Sequence, residues 1–330
     1  MRRERLKVLG ILGEDDKMAL TVAQAFTQFK SKLELSQSFQ EEVTIHHNAI
    51  REWIESYDSA VETKLIGSLQ RKTRIQPRSE DVFDIDILVI LGNFYNWVSS
   101  GGIKPGDALG KIEDIVSEHG TYEKLGVETD NPTITFEYED NVKVELVPAY
   151  LDQIGKAPDG TPTPPIGRGY WIPKNNKWVV SDYDYDAESI STSNENGDGY
   201  LIPTIKMLKA AKRNLFPLMK SYHLEVMATS LLPFVVSYFK EQRWQVTYQS
   251  LLYNFFLLGK DEVLKTVNIS GSKSPSADGY MSIDKKQEFS ELFRKIAEYC
   301  EKTFTMSDNE SIAAWRELFG APFPASAYYE

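Results

Sequence analysis

The chain has 330 residues, of which 42% are hydrophobic and 26% charged, enough to bury one large core or two smaller cores that share an interface. Its formal net charge of −11 argues against a stable nucleic-acid partner, because sequence-independent binding takes most of its energy from Lys and Arg contacts to phosphates. The single cysteine, Cys300, excludes an intramolecular disulfide and a multi-cysteine zinc site.

The first half of the chain predicts a mixed sheet with helices beside it. Apolar residues recur at helical spacing, without proline, from Val22 to about Tyr57 and predict one or two long helices. A basic stretch closed by Pro77 separates the first two predicted strands. The predicted strands are "ETKLIGS", "VFDIDILVIL", "TITFEYED" and "VKVELVPAY", the last two of which form a hairpin around Asn141.

The second half changes character. Residues 151–200 are rich in Gly, Pro, Asn and Asp and predict long loops around one strand, "KWVVSDY". After Tyr200 every long segment has helical spacing, except for the Ser/Gly-rich 270–282, which predicts a mobile loop. We therefore expect an α+β protein that divides into 1–200, which contains the sheet, and 201–330, which is α-helical.

No segment predicts export or membrane insertion. Lys7 and the acidic cluster of residues 14–16 interrupt any signal-peptide core near the N-terminus. The longest apolar stretch, 226–239, is shorter than the roughly 20 residues that a bilayer requires, and it contains Pro233. A reducing cytoplasm is the expected location, and the apolar stretch is expected to be a buried helix.

Carboxylates interrupt the predicted sheet strands at three positions. Alternate side chains of a strand share a face, so Asp84 and Asp86 point to one side while Ile85 and its apolar neighbours point into a core. Glu145 interrupts the strand "VKVELVPAY" in the same way. Like charges placed together are costly without a cation, and Mg²⁺ prefers oxygen ligands of this kind. Three carboxylates on neighbouring strands can hold two Mg²⁺ ions that activate an attacking hydroxyl and stabilise leaving pyrophosphate.

Gly67 and Ser68 end the first predicted strand and precede the basic stretch that leads to Asp84 and Asp86. Glycine lets a backbone approach a phosphate closely, and free N–H groups with the Ser68 hydroxyl can bind its oxygen atoms. A Gly-Ser pair after a strand is by itself most often an ordinary turn. The aspartates that follow favour a phosphate site.

These segments resemble a known superfamily. "GSLQRKT" followed by "DVFDIDILVIL" and "VELVPAY" is similar to the motifs of DNA polymerase β-type nucleotidyltransferases: hydrophobic-Gly-(Gly/Ser), a pair of acids on one strand, and a third acid on another. Within the superfamily, "GSLQRKTRI" and "VELVPA" resemble the bacterial CD-NTases, the cGAS/DncV-like enzymes. "IPTIKMLKAAKRN" and "KSYHLEVMA" are similar to their helical segments. The resemblance covers most of residues 55–240.

The resemblance implies a fold and an activity. The fold would be a polymerase β-like nucleotidyltransferase core with a long N-terminal helix and a C-terminal α-helical domain. The enzyme would join nucleoside triphosphates, ATP and a second one, into a cyclic di- or trinucleotide in anti-phage (CBASS) signalling, and regulatory proteins of a defence operon would be its partners. No Cys/His zinc insertion is present, so activation by double-stranded DNA is not implied.

Site residues follow from the same resemblance. The metal ligands would bind two Mg²⁺ ions, replaceable by Mn²⁺, and are Asp84, Asp86 and Glu145. The nucleotide-binding residues would be Gly67, Ser68, Lys209, Ser221 and Tyr222, with Lys209 and Ser221 on the β and γ phosphates and Tyr222 stacked on the donor base. Two positions depart from the family pattern: Lys72 replaces a small residue, and Glu145 replaces the more frequent aspartate.

Plainer interpretations exist for several of these residues. Any single lysine of the helix around Lys209 could belong to a solvated basic face, and Tyr222 could be a core aromatic. Most of the basic residues between 71 and 78 are expected in a surface loop, and His223 is expected to be structural. Two other functions stay open: a nucleotidyltransferase that modifies a tRNA or a partner protein, and a non-catalytic interaction protein that keeps the fold.

Overall fold

The computed structural model describes residues 20–94, 104–130, 132–152 and 169–325. Its helices are α1 (Val22–Lys32), α2 (Gln37–Tyr57), α3 (Gly67–Gln70), α4 (Pro105–Ser117), α5 (Tyr183–Asn196), α6 (Leu201–Leu215), α7 (Ser221–Glu241), α8 (Tyr248–Glu262), α9 (Ile283–Lys302) and α10 (Asp308–Phe319). Its strands are β1 (Glu62–Leu65), β2 (Phe83–Asn93), β3 (Glu128–Asp130), β4 (Thr133–Glu137), β5 (Val142–Leu151), β6 (Tyr170–Lys174) and β7 (Lys177–Ser181).

The strands form one mixed sheet in the order β1-β2-β5-β4-β3, with β6 paired to the end of β5 and β7 paired to β6. Strands β2 and β5 run parallel at its centre, and the other pairs are antiparallel. The predicted β4–β5 hairpin is confirmed, with Asn141 at a φ of 62° in its turn. The α+β class and the mixed sheet flanked by helices are confirmed as well.

The prediction of long loops around one strand in residues 151–200 is wrong in part. The segment forms the β6–β7 hairpin, whose turn residues Asn175 and Asn176 both have positive φ, as tight hairpin turns require. Helix α5 follows, although its Ser- and Asn-rich sequence has weak helix propensity. Burial of Ala187 and Ile190 supplies the stabilisation that the local sequence lacks. Residues 153–168 lie outside the described part.

Apolar side chains collect on both faces of the sheet and among the helices. One cluster contains Ile85, Ile87 and residues of α2 and α4 on one sheet face, and a smaller one contains Leu88 and Val147 on the other. A third cluster contains residues of all five helices from α6 through α10, together with residues of α1 and α5. The five helices predicted after Tyr200 are confirmed, whereas the domain division at residue 200 stays a prediction.

The apolar stretch 226–239 lies within α7, where Val235 and Val236 are buried and Phe234 is exposed. Among the described residues, no helix combines the length and the hydropathy needed to cross a bilayer.

Candidate active site

The two central strands bring the predicted carboxylates together. In the parallel β2–β5 pair, Asp86 lies opposite Glu145 and Asp84 lies opposite Lys143. The alternation of β2 places both aspartates on the sheet face that continues into Leu88. Since all three carboxylates project from the N-terminal parts of neighbouring strands, the structure groups them as the sequence pattern predicted.

The charges of this group are poorly compensated. Burial, followed by the nearby charge of Glu145, raises the pKa of Asp84 and that of Asp86 to about 6. The Nζ of Lys143 lies 2.7 Å from Oε1 of Glu145, and the positive charge of Arg71 only partly offsets the increase at Asp86. Hard oxygen ligands crowded in this way fit a divalent cation such as Mg²⁺.

Gly67 lies against Asp86. Its φ is +67°, and a Cβ at this position would stand 1.8 Å from Oδ2 of Asp86. The Ile66 amide donates a 3.0 Å hydrogen bond to the Asp86 carbonyl, which ties the turn to β2. Only glycine meets both demands, the left-handed backbone and the close approach. Half-buried Ser68 follows in the single turn α3, so the predicted phosphate residues lie beside the carboxylates.

Lys209 is buried on α6 and holds the loop that follows α3. Its Nζ donates to the backbone oxygen and to Oγ1 of Thr73, at 3.0 and 3.1 Å, and lies 2.6 Å from Oε1 of Glu225. Burial lowers the pKa of Lys209, and the charge of Glu225 opposes that change. The structure therefore places Lys209 in an ion pair rather than on an open basic helix face. Lys72, where the family has a small residue, adopts a φ of 59° in the same loop.

Glu225 pairs with a second buried cation. Nε of Arg71 donates a 2.6 Å hydrogen bond to its Oε2, although Arg71 belongs to the stretch expected in a surface loop. Burial alone would raise the pKa of Glu225, but the charges of Arg71 and Lys209 outweigh it and lower that pKa to about 2. Arg71, Glu225 and Lys209 thus form a buried cation–anion–cation network, called here the Glu225 network.

Tyr222 and Ser221 begin α7, next to this network. The Arg71 guanidinium lies 4.9 Å from the centroid of the Tyr222 ring. The Tyr222 hydroxyl donates a 2.7 Å hydrogen bond to Oδ2 of buried Asp186, so the half-buried ring is fixed at both ends. Ser221 is half-buried at the first position of the helix. His223 is fully buried and contacts the hydroxyl of Tyr280.

Glu225, Asp186 and the burial of Arg71 are not among the features that the sequence predicts. A signal existed for one of them, because Glu225 is an acid inside "HLEVMA", an otherwise apolar run of a helix expected to be buried. No local pattern points to the other two. Their partners lie far away in sequence, with 154 positions between Arg71 and Glu225.

A separate group of potential metal ligands lies on the surface of the sheet half. Glu42, His46 and Asp140 bring one ligand atom each to within 4.8 Å of one another. Nε2 of His46 and Oδ2 of Asp140 already pair at 2.7 Å, and the two acids are exposed. This group is not one of the predicted site residues.

The central parallel strands, their three carboxylates and the adjoining Gly-Ser turn have the arrangement that the resemblance to polymerase β-type nucleotidyltransferases implies. Residues 20–162 match the family model of the Second Messenger Oligonucleotide or Dinucleotide Synthetase (SMODS) domain. A curated relative from an Acinetobacter species, a cyclic AMP-AMP-AMP synthase, is 21% identical over 94% of this chain and 88% of its own.

Solved structures of CD-NTases share the fold of this chain. CdnC of E. coli, in a complex with HORMA-deltaN, superposes with a TM-score of 0.65 at 12% identity, over 92% of this chain and 98% of its own. The CD-NTase CdnG of Bradyrhizobium diazoefficiens, in complex with GTP, gives 0.65 at 13% identity, over 91% and 95%. The predicted resemblance to the CD-NTases is confirmed: the sheet half is similar to the SMODS family, and the chain has the fold of CD-NTases.

Proposed function

We propose that the protein joins nucleoside triphosphates, ATP among them, into a cyclic di- or trinucleotide and releases pyrophosphate at each bond. The product would serve as a second messenger in anti-phage (CBASS) signalling in the cytoplasm. Support comes from the SMODS match and from the relative that makes a cyclic AMP-AMP-AMP product. The GTP complex of CdnG supports nucleotide substrates, and the HORMA complex of CdnC supports a regulatory protein partner.

The observation that carries the proposal is the carboxylate group beside Gly67. Asp84, Asp86 and Glu145 would hold the divalent ions, two Mg²⁺ that Mn²⁺ can replace; their placement on neighbouring strands and the raised pKa values of both aspartates support this role. When bound, such ions lower the pKa of an attacking hydroxyl and stabilise the charge of leaving pyrophosphate. In each step an acceptor hydroxyl oxygen forms a bond to the α-phosphorus while the bond to pyrophosphate breaks.

Binding residues surround this group on two sides. Gly67 and Ser68 would bind the donor triphosphate, because the turn approaches Asp86 so closely that a phosphate bound there would lie beside the carboxylates. Ser221 and Lys209 are the proposed phosphate residues of the helical side. Tyr222 would stack on the donor base, which its fixed ring favours because little side-chain entropy is lost on binding.

One incubation tests the activity. The purified protein is mixed with labelled ATP, GTP, CTP and UTP and with Mg²⁺ or Mn²⁺, treated with phosphatase, and its resistant products are identified by mass. A cyclic di- or trinucleotide made without added RNA, DNA or protein is the expected result. A strict requirement for tRNA or a protein acceptor would favour the macromolecule-modifying alternative, and no incorporation with any acceptor would favour the non-catalytic one.

A further inference from the structure

A second group of ionisable side chains lies on the opposite side of the sheet from Asp86. Glu42 and His46 belong to α2, and Asp140 lies in the turn between β4 and β5. Helix α2 packs on the sheet face that contains Ile85, whereas the aspartates of β2 alternate to the other face. Residues four positions apart lie on one side of a helix, so Glu42 and His46 can both reach the turn. The group is therefore separate from the candidate active site.

The polar atoms of these three side chains converge. One atom from each residue lies within 4.8 Å of the other two, and Nε2 of His46 is 2.7 Å from Oδ2 of Asp140. Burial alone would raise the pKa of Asp140, but hydrogen bonds with His46 and with Glu42 lower it. Two carboxyl groups thus contact each other beside one imidazole. Carboxylates brought together in this way repel each other unless a proton or a metal cation lies between them.

The segments that carry the group are acidic. Neither 33–50 nor 133–142 contains a lysine or an arginine, and each contains three Asp or Glu residues. The three side chains line a surface depression of about 450 Å³, which exposed Glu41 of α2 also lines. The local potential therefore favours a cation, and the depression leaves room for the water that would complete its coordination.

Two of the three side chains are already held in place. The His46 ring stacks on the Tyr138 ring, with centroids 3.9 Å apart. Oδ1 of Asp140 accepts a 3.3 Å hydrogen bond from the Val142 amide, while Oδ2 lies against His46. Side chains that are fixed before a ligand binds lose little conformational entropy when it does.

We propose that Glu42, His46 and Asp140 bind a Zn²⁺ ion that links α2 to the turn between β4 and β5. An imidazole nitrogen with two carboxylates suits Zn²⁺, whereas Mg²⁺ prefers oxygen ligands alone. Tetrahedral ligands about 2.0–2.1 Å from Zn²⁺ lie roughly 3.3 Å from one another. Small rotations of the exposed Glu42 and Asp140 side chains would bring the three ligand atoms to that spacing. This inference does not depend on the function proposed above.

Calorimetric titration of the full chain with Zn²⁺ tests the site. Excess Mg²⁺ is present throughout, so that sites made of oxygen ligands alone are filled. We expect the wild type to bind Zn²⁺ and both His46→Gln and Asp140→Asn to bind it about tenfold or more weakly, since even residues that only orient metal ligands contribute that much. Glu41→Gln is the matched control. It removes a charge from the same depression without removing a ligand and should bind within about threefold of the wild type.

Two results would overturn the proposal. The first is a wild type that binds no Zn²⁺. The second is equal Zn²⁺ affinity in the wild type, His46→Gln and Asp140→Asn, which would mean an adventitious ion only. Both leave the proposed function untouched, because no nucleotide is present in the titration.

A crystal structure of the wild type grown with Zn²⁺ decides the case even if a variant does not fold. Anomalous scattering should locate the ion about 2.0–2.2 Å from Nε2 of His46 and from one oxygen atom each of Glu42 and Asp140. An ion bound only at other residues would overturn the proposal.

Discussion

Two carboxylates that both feel the charge of Arg71 have opposite electrostatic environments. Asp86, on the sheet, has a pKa raised to about 6, because burial and the charge of Glu145 outweigh its nearby cations. Glu225, on α7, is fully buried, yet its pKa falls to about 2 because Arg71 and Lys209 pair with it. The sheet carboxylates have too few cations for their charge, whereas Glu225 is paired with two.

The difference separates two tasks that buried charge performs. A carboxylate whose charged form is destabilised until a cation is added is suited to bind that cation. The folding free energy that the metal-free protein loses there is the cost of having a metal site. A group with its own cations is suited to hold other side chains in place, and it contributes to folding only while every partner is present. A variant of Asp86 should therefore lose activity without losing stability, whereas a variant of Glu225 should lose stability.

The largest expected effect is on activity at the sheet carboxylates. Asp86→Asn should lower nucleotide incorporation roughly a thousandfold or more, because the site loses a metal ligand that supplies several kcal/mol of transition-state stabilisation. Asp84→Asn should do the same. Glu128→Gln, at an exposed carboxylate of the edge strand β3, is the matched control and should be fully active. Near-normal turnover by Asp86→Asn would refute the metal assignment.

The next effect concerns the stability of the Glu225 network. Glu225→Gln leaves Arg71 and Lys209 without their buried anion, so the free energy of unfolding should fall by about 3 kcal/mol or more in urea denaturation. Glu241→Gln, at the exposed end of the same helix, should change it by less than about 0.5 kcal/mol. Equal stabilities of the two variants would show that the network contributes nothing to folding.

The opposite change, a rise in the free energy of unfolding, is expected for Asp86→Asn in the absence of metal. In the metal-free protein its pKa is about 6, against 3.8 for the ordinary value, so the folded state binds more protons between these pH values. Its destabilisation is absent below about pH 4 and complete above about pH 6. With EDTA at pH 7, Asp86→Asn should therefore be up to about 3 kcal/mol more stable than the wild type, with the gap closing towards pH 4. A less stable variant at pH 7 would contradict the uncompensated charge.

The smallest effects are expected at Tyr222. Tyr222→Ala should weaken ATP-analogue binding about tenfold through lost stacking, whereas Tyr222→Phe should leave that affinity nearly unchanged. The phenylalanine variant should nevertheless lose about 1 kcal/mol of unfolding free energy, because Asp186 loses a hydrogen-bond donor. Calorimetric binding and denaturation of the same samples measure both. A phenylalanine variant that loses as much affinity as the alanine variant would remove the stacking role.

Sequence reasoning succeeded where local periodicity determines the structure. Alternation in "DVFDIDILVIL" placed Asp84 and Asp86 on one face, and the hairpin after Thr133 placed Glu145 on the neighbouring strand. Helix α5 was missed because tertiary burial, not propensity, stabilises it. The Glu225 network could not be predicted, since it joins segments more than a hundred positions apart and no pattern within one segment encodes that contact.

The placement of α1 has a consequence for synthesis of the protein on the ribosome. Phe26 and Phe29 are among the first residues of the described chain to be made, yet they pack against Trp315, Phe319 and Phe323 near its other end. These aromatic side chains stay without their native partners until nearly the whole chain has emerged, which is the interval in which apolar segments aggregate or attract chaperones. Nascent chains arrested before residue 308 should accordingly be cut by protease within α1, whereas the released protein should be protected there.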